Sequence, residues 1–154
     1  PDRAYFGQKD AQQLRVIRRM TADLALPLDV IGLPTVREPD GLAMSSRNVY
    51  LSPEGRRAGL VLSRSLRHAE ELVRAGEEDA AAIKHKVASM IGAAPAVARE
   101  YVSMTDETTL EELTTIDRPA LLLLAARVGP TRLIDNAVLI PSGMAVPAHL
   151  RDIA

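Results

Sequence analysis

With 154 residues, 47% of them hydrophobic and 25% charged, the chain has the composition of an ordinary globular domain, and neither a disordered nor a fibrous class is indicated. Nineteen Lys and Arg balance 20 Asp and Glu, so no global field favours nucleic acid or an anionic membrane. The lack of cysteine excludes disulfides and thiolate sites, and residues 120–126, the longest apolar run, are too few to span a bilayer. We expect a cytoplasmic protein without nucleic-acid or membrane partners.

Residues 1–34 predict a strand, a loop, a helix and a second strand. A short apolar stretch ends at Gly7, and after Asp10 apolar residues recur at helical spacing, namely at Leu14, Ile17, Met20 and Leu24. The β-branched segment LDVIGL at 28–33, bounded by prolines, predicts a buried strand of a parallel sheet. We therefore expect the last βαβ unit of a larger sheet.

Such a unit leaves both faces of its sheet exposed, so its natural partners are expected to lie outside this chain. The chain starts at Pro1 and reaches its first motif within six residues, which suggests an excised domain or a processed product. If residues 1–34 are ordered here, we expect them to pair with another chain or to pack on residues 53–91.

The rest of the chain predicts a small α+β module. Residues 34–51 show neither a helical nor a strand period and predict a long loop, and two helices are expected at about 53–76 and 78–91. Three strands are expected at 97–104, 120–128 and 132–140, the last two forming a hairpin around Gly129-Pro130. The result is a three-stranded antiparallel sheet with two helices, followed by a loosely held tail.

The first chemical motif is FGQKD at 6–10. A strand that ends in glycine, followed by Lys9 at the start of a helix, suits phosphate, because helix N-termini present unpaired N–H groups and partial positive charge. Asp10 with Gln13 three residues later equally matches a capping box, which helix stability alone would explain. Both interpretations stay open.

The second motif is GLAMSSRN at 41–48, in a loop whose composition suggests mobility. The Ser45 and Ser46 hydroxyls and the Arg47 guanidinium can together clamp phosphate oxygens. The alternative, which the motif alone favours, is that the serines form a turn and Arg47 is solvated.

Together, FGQKD-x-x-Q at 6–13 and PTVRE-x-DGLAMSSRN at 34–48 resemble the pantothenate synthetase family in its C-terminal portion, and LLLLAARVGPTRLIDN at 121–136 extends the resemblance. That family belongs to the nucleotidylyltransferase superfamily, in which a HIGH-type motif and a KMSKS-type loop embrace ATP. MSSR at 44–47 resembles the latter. The HIGH-type histidine pair does not occur in this sequence, and His68, His85 and His149 are expected at the surface.

The resemblance implies a Rossmann-like ATP-binding domain ending at residue 36, a lid domain at 37–141, a tail at 142–154, a missing N-terminal domain and a homodimer. It implies a pantoate–β-alanine ligase (AMP-forming), which uses ATP with Mg²⁺, proceeds through pantoyl adenylate and has no prosthetic group. The implied catalytic residues are Lys9, Ser45, Ser46 and Arg47. The implied ATP contacts are Gly7, Gln8, Lys9, Asp10, Val36, Met44, Ser45, Ser46 and Arg47. Gln13 is the implied pantoate contact, and no residue is assigned to a metal.

Several departures and alternatives remain. Ala11 stands where family members often carry an aromatic residue, which weakens packing but removes no chemical group. Another adenylate-forming enzyme with the same loop pair is one alternative. A non-catalytic lid and assembly module is a second, and we expect the isolated chain to be inactive. An RNA-binding appendage is disfavoured by near-neutral charge and by only three Tyr and one Phe.

Overall fold

The computed structural model describes residues 1–151 and follows the predicted order of elements. The first part consists of β1 (Arg3–Gly7), α1 (Ala11–Asp23) and β2 (Asp29–Leu33). The second part consists of α2 (Pro53–Gly59), α3 (Val61–Arg74), α4 (Ala80–Gly92), β3 (Val97–Asp106), β4 (Ala120–Val128) and β5 (Thr131–Leu139). The predicted α/β unit followed by an α+β module is confirmed.

The first part is a βαβ unit. Strands β1 and β2 are parallel, in a register that runs from Arg3 opposite Asp29 to Gly7 opposite Leu33, and α1 connects them. Large apolar side chains remain exposed on this unit, among them Tyr5, Val16, Met20, Leu24, Leu26 and Leu33. Their exposure is typical of a sheet edge and helix face that larger neighbours cover.

The second part is built around β4, the central strand of the antiparallel sheet β3-β4-β5. Leu122 and Leu124 point to the face covered by α3 and α4, while Leu121 and Leu123 point to the opposite face. Both faces are therefore apolar, which explains why the sequence at 120–126 reads as a continuous hydrophobic run instead of an alternating one.

Of the two arrangements expected for residues 1–34, packing on residues 53–91 is wrong, and pairing with another chain stays a prediction. Within residues 1–151, this segment is held against the other face of the antiparallel sheet, where Ala11 joins Leu121 and Leu123 in an apolar cluster. Arg15 of α1 reaches the end of β3 and forms a buried ion pair with Glu107. The reason is that α3 and α4 cover only one face of β4, and its second apolar face also requires a cover.

The expected loose tail is anchored at one residue, Leu150, while most of residues 142–149 are exposed. A short turn at Ala148–Leu150 places the fully buried Leu150 in the same apolar cluster as Ala11. His149, although more than half exposed as expected, lies with its Nε2 atom 3.1 Å from Glu107 Oε2. Residues 152–154 of the predicted tail lie outside the described residues.

The predicted helix at 53–76 is divided at Leu60 into α2 and α3. Ser52 caps its start as expected. Gly59, just before the division, lies so near β5 that a Cβ atom there would sit 3.0 Å from Leu133 Cδ1. A side chain at this position would therefore require Leu133 to shift by a few tenths of an ångström. None of the described helices has the length and hydropathy needed to cross a membrane.

The buried ion pair between Arg15 and Glu107 yields a stability prediction. Glu107→Ala should lower the unfolding free energy by about 3–5 kcal/mol, because it leaves a guanidinium buried without its counter-charge. The two side chains are only 3% and 4% exposed. Urea unfolding followed by circular dichroism measures the change. Arg57→Ala removes an exposed ion pair with Glu54 and is the control. A loss no larger than that of the control would contradict the prediction.

Candidate functional site

Two loops that the sequence marked separately meet in the structure. We call residues 7–10 the lysine loop and residues 37–48 the serine loop. The Lys9 Nζ atom donates a hydrogen bond to the carbonyl oxygen of Met44 at 3.0 Å, across 35 positions of sequence. Lys9, Ser45 and Arg47 line one cavity of about 190 Å³, and β5 forms its opposite wall. The two loops therefore face a common space.

The lysine loop follows directly from the end of β1. Gly7 is extended, Gln8–Asp10 form a single 3-10 turn, and α1 starts at Ala11. The Asp10 side chain accepts no capping hydrogen bond from α1, so the capping box suggested by Asp10 and Gln13 does not form. Both side chains are exposed at the surface beside the cavity. Helix capping therefore does not explain why these residues occur here.

Gln8 lies differently from the rest of the lysine loop. Its side chain is buried, and its Oε1 atom accepts a hydrogen bond from Arg15 Nη1 at 2.5 Å. Its Nε2 atom donates to Asn136 Oδ1 at 3.2 Å. The amide is thus committed to the interior, and a contact of Gln8 with a ligand would have to use its backbone.

The serine loop is an ordered hairpin, although its sequence suggested mobility. Met44 N donates to the Val36 carbonyl at 2.9 Å, and Glu38 N donates to the Leu42 carbonyl at 2.8 Å. Gly41 makes the turn with a φ of +94°, a conformation that side-chain-bearing residues rarely adopt. The Asp-Gly pair before Leu42 is the sequence signal for this turn.

Side chains tie the hairpin to α2. Asn48 donates to Glu38 Oε1 at 2.6 Å and to the Ala43 carbonyl at 3.1 Å. Arg56 at the start of α2 bridges Glu38 at 2.5 Å and Asp40 at 2.7 Å. These contacts hold the serine loop in one shape relative to the lid module.

The tip of the serine loop presents the polar groups that the motif predicted. Ser45 Oγ accepts a hydrogen bond from Arg47 N at 3.2 Å, so Ser45 does form a turn, as one interpretation held. Its hydroxyl hydrogen stays available to a ligand, since accepting a bond leaves the donor unused. Ser46, Arg47 and Met44 are exposed. The turn-forming and ligand-binding interpretations are therefore compatible.

The cavity is cationic around one buried carboxylate. Burial is the main cause that lowers the pKa of Lys9, and the neighbouring charge of Arg47 lowers it further, whereas Asp10 and Asp135 raise it. A desolvated ammonium beside a guanidinium gains most from an anionic ligand, which would replace the lost hydration.

Sequence reasoning missed three residues of β5 that belong to this site. Arg132 and Asp135 line the cavity, and Asn136 contacts the lysine loop. Asp135 also pairs with Arg37, the first residue of the serine loop, and this hydrogen bond raises the pKa of Arg37. The available signal was the polar pair Asp135 and Asn136 between the apolar residues 133–134 and 137–139 of the strand.

Within residues 1–151, no group of three or more His, Cys, Asp or Glu side chains is arranged so that it could hold a metal ion. The three histidines lie apart from the cavity, His68 and His85 on helices and His149 beside Glu107.

A parallel β1-α1-β2 unit, followed by a small α+β module that shares a cationic cavity with it, is the architecture expected of the end of a Rossmann-like α/β domain joined to a small C-terminal domain. The family model described as pantoate-beta-alanine ligase matches residues 1–138. This chain belongs to that family.

Relatives share both sequence and fold with the chain. A pantothenate synthetase from Pelotomaculum thermopropionicum is 60% identical over 139 residues, which are 90% of this chain and 49% of that protein. The crystal structure of the pantothenate synthetase from Thermus thermophilus aligns with a TM-score of 0.86 at 44% identity, over 92% of this chain and 51% of that one. The chain spans about half the length of the curated relatives it matches.

A third relative was solved with ligands. The pantoate-beta-alanine ligase from Francisella tularensis, described as complexed with beta-gamma ATP and beta-alanine, aligns with a TM-score of 0.60 at 25% identity. The alignment covers 90% of this chain and 44% of that chain.

The low pKa of Lys9 is testable in the isolated chain, which has only three lysines. After reductive methylation with ¹³C-formaldehyde, the Lys9 signal should titrate at lower pH in the folded chain than in the urea-unfolded chain, because burial disfavours the charged amine. NMR measures the titration, and loss of a peak in Lys9→Arg assigns the signal. Equal midpoints in the folded and unfolded chains would contradict the prediction.

Proposed function

We propose that this chain is the C-terminal part of an ATP-dependent ligase that joins pantoate to β-alanine through pantoyl adenylate, releasing AMP and pyrophosphate. The observation that carries the proposal is the contact of Lys9 with Met44, which brings both phosphate-suited loops to one cavity. The names of the relatives support the substrates, and the Francisella structure described with an ATP compound supports ATP.

In the proposed first step, a carboxylate oxygen of pantoate attacks the α-phosphorus of ATP. The bond from that phosphorus to the bridging oxygen breaks, and pyrophosphate leaves with the electron pair. Lys9, Arg47 and the serine hydroxyls neutralise the charge that grows on the leaving group. No acid–base pair is required, because the chemistry needs mainly positioning and charge stabilisation.

In the proposed second step, the amine of β-alanine attacks the acyl carbon of the adenylate. AMP leaves with the electron pair of the broken C–O bond, and the amine proton passes to solvent. The adenylate must be protected from water until then. Because both loops are held on β5, we propose that closure by the serine loop moves its mostly exposed tip, residues 44–47, and not the lid as a whole.

We propose the following substrate contacts from the positions that the site residues occupy. We propose that ATP phosphates meet Lys9, Ser45, Ser46 and Arg47, with Gly7, Gln8 and Asp10 adjoining through the lysine loop. Met44 closes over the nucleotide, and Val36 contacts adenine through its backbone. Its side chain, 60% exposed, adds apolar surface at the same place.

Pantoate is assigned to the first turn of α1. Gln13 lines a second cavity of about 260 Å³, next to the first, and the two cavities share Lys9, Arg132 and Asp135. An amide beside a lysine suits a hydroxy acid, because it donates to and accepts from a hydroxyl while the ammonium holds the carboxylate.

We assign Mg²⁺ to the nucleotide as part of the substrate, where phosphate oxygens and water are suitable ligands. The complete protein is proposed to be a cytoplasmic homodimer that includes an N-terminal domain outside this chain, as the family resemblance implies.

A related adenylate-forming ligase that uses another acid is the second candidate function. ATP–pyrophosphate exchange measured with pantoate and with other hydroxy acids distinguishes the two candidates.

The role of Lys9 is tested in a full-length chimera, in which this chain replaces the matching half of the Pelotomaculum relative. Lys9→Ala should lower kcat for pantoate-dependent ATP–pyrophosphate exchange by about 10²–10³-fold, the usual loss of one charge-stabilising donor. Lys86→Ala, on α4 and away from the cavity, is the matched control. Unchanged exchange in Lys9→Ala would remove Lys9 from the mechanism.

A pH profile of the same chimera tests the charge state. Since the protonated amine is the active form and burial lowers its pKa in the free protein, kcat/KM for ATP in the exchange reaction should fall as pH rises through a value below the ordinary 10.5 of lysine. Lys9→Arg should remove this fall, because arginine stays protonated. If the fall at high pH, the basic limb of the profile, is the same in Lys9→Arg as in the parent chimera, another group controls it.

The isolated 154-residue chain should bind ATP too weakly to detect by calorimetry and should show no exchange, because half the family's length is absent. Mixing it with the N-terminal half of the Pelotomaculum relative should restore exchange, if the exposed apolar surface of the βαβ unit rejoins its neighbours. Exchange by the isolated chain would disprove the expectation.

A further inference from the structure

Two adjacent polar residues interrupt the buried strand β5. Asp135 and Asn136 are 3% and 4% exposed, while the residues after them, 137–139, are apolar and buried. Burying a carboxylate and an amide is unfavourable unless their hydrogen bonds are made. Their bonding partners therefore identify what they do.

Asn136 binds the lysine loop. Its Nδ2 atom donates to the carbonyl oxygens of Gln8 and Lys9, each at 3.0 Å. Its Oδ1 atom accepts from Gln8 Nε2 at 3.2 Å. One side chain thus fixes two successive peptide carbonyls of the loop, immediately before the point where the Lys9 side chain enters the cavity.

Asp135 binds the serine loop. Its two carboxylate oxygens accept hydrogen bonds from Arg37 at 2.7 and 3.0 Å, a bidentate pair. Arg37 also donates to the Gly41 carbonyl at 3.2 Å and is bridged to Ala43 by backbone pairing. A carboxylate on β5 therefore holds both the start and the turn of the serine loop.

Resting on the ligase function proposed above, we propose that Asp135 and Asn136 are positioning residues for adenylate formation. Asn136 fixes the lysine loop, and Asp135 fixes the serine loop through Arg37. A single dipeptide on a rigid strand thereby sets the distance between the Lys9 amine and the serine hydroxyls. The reason that this matters is that a misplacement of about 1 Å at a reacting centre can cost roughly 10²-fold in rate.

Asp135 has a second effect that a purely structural residue would lack. The charged groups around Lys9 are Asp10 and Asp135, which raise its pKa, and Arg47, which together with burial lowers it. Arg132 also lines the cavity. Removing the Asp135 charge should therefore lower the pKa of Lys9 further.

The experiment uses the full-length chimera and measures pantoate-dependent ATP–pyrophosphate exchange per folded molecule, with the folded fraction taken from circular dichroism at the assay temperature. Asn136→Leu should lower kcat by about 10–100-fold, because the lysine loop loses its tether. The KM for ATP should change much less.

Asp135→Asn should lower kcat and also move the basic limb of the pH profile to lower pH. Asp135→Glu keeps the charge, so it should lower kcat and leave that limb in place.

Asp106→Asn is the matched control. Asp106 is also a largely buried carboxylate at this sheet, 15% exposed, that pairs with an arginine of another segment, Arg118, but it neither lines the cavity nor belongs to the hydrogen bonds that hold the lysine loop. The control should lower the melting temperature, while kcat per folded molecule and the basic limb stay unchanged.

The outcomes separate this inference from the ligase proposal. If Lys9→Ala abolishes exchange while the Asp135 and Asn136 variants keep the parent kcat per folded molecule, the positioning inference is overturned and the ligase proposal stands. If Lys9→Ala retains full exchange, the proposed use of the cavity fails, and the inference fails with it. Loss of kcat with a shifted basic limb in Asp135→Asn, absent from Asp106→Asn, supports the inference.

Discussion

Strand β4 has apolar side chains on both faces, and the rest of the structure depends on covering both. Helices α3 and α4 cover the face of Leu122 and Leu124. The opposite face, with Leu121 and Leu123, is covered by Ala11 at the start of α1 and by Leu150 of the tail. Because hydrophobic burial is the main favourable term in folding, this second face draws the βαβ unit onto the antiparallel sheet. The lysine loop, just before α1, is thereby placed beside β5.

Apolar packing alone would leave the lysine loop free to slide along the sheet, since hydrophobic contacts are not directional. The position of the lysine loop along the sheet is fixed by directional hydrogen bonds between buried polar groups. Glu107 binds Arg15, Arg15 binds Gln8, and Gln8 binds Asn136, so hydrogen bonds run without a break from the end of β3 to β5. Each donor in this chain would be left unsatisfied by a shift of a few ångströms, and an unsatisfied buried group costs about 1–3 kcal/mol. The network thus fixes one register.

Much of this architecture could be predicted from the sequence, because strands and helices are indicated by local periodicity. Both ends of β4 were predicted correctly, and β5 begins one residue earlier than predicted. The cover of the second face of β4 could not be predicted, since it depends on contacts between residues more than a hundred positions apart. The same holds for the site. Lys9 and Ser45 were singled out by local motifs, whereas Asp135 meets Lys9 and Arg37, the latter 98 positions away, only in the folded chain.

The charge arrangement explains why a site of this kind sits between two units. Lys9 and Arg47 lie near a single buried carboxylate, Asp135, while Arg132, which also lines the cavity, is paired with Glu100. The positive charges of Lys9 and Arg47 repel each other, and Asp135 offsets only part of this repulsion because it is also engaged with Arg37. A polyanion between the loops would relieve the remainder. The electrostatic energy of the cavity therefore favours occupancy by an anion such as phosphate.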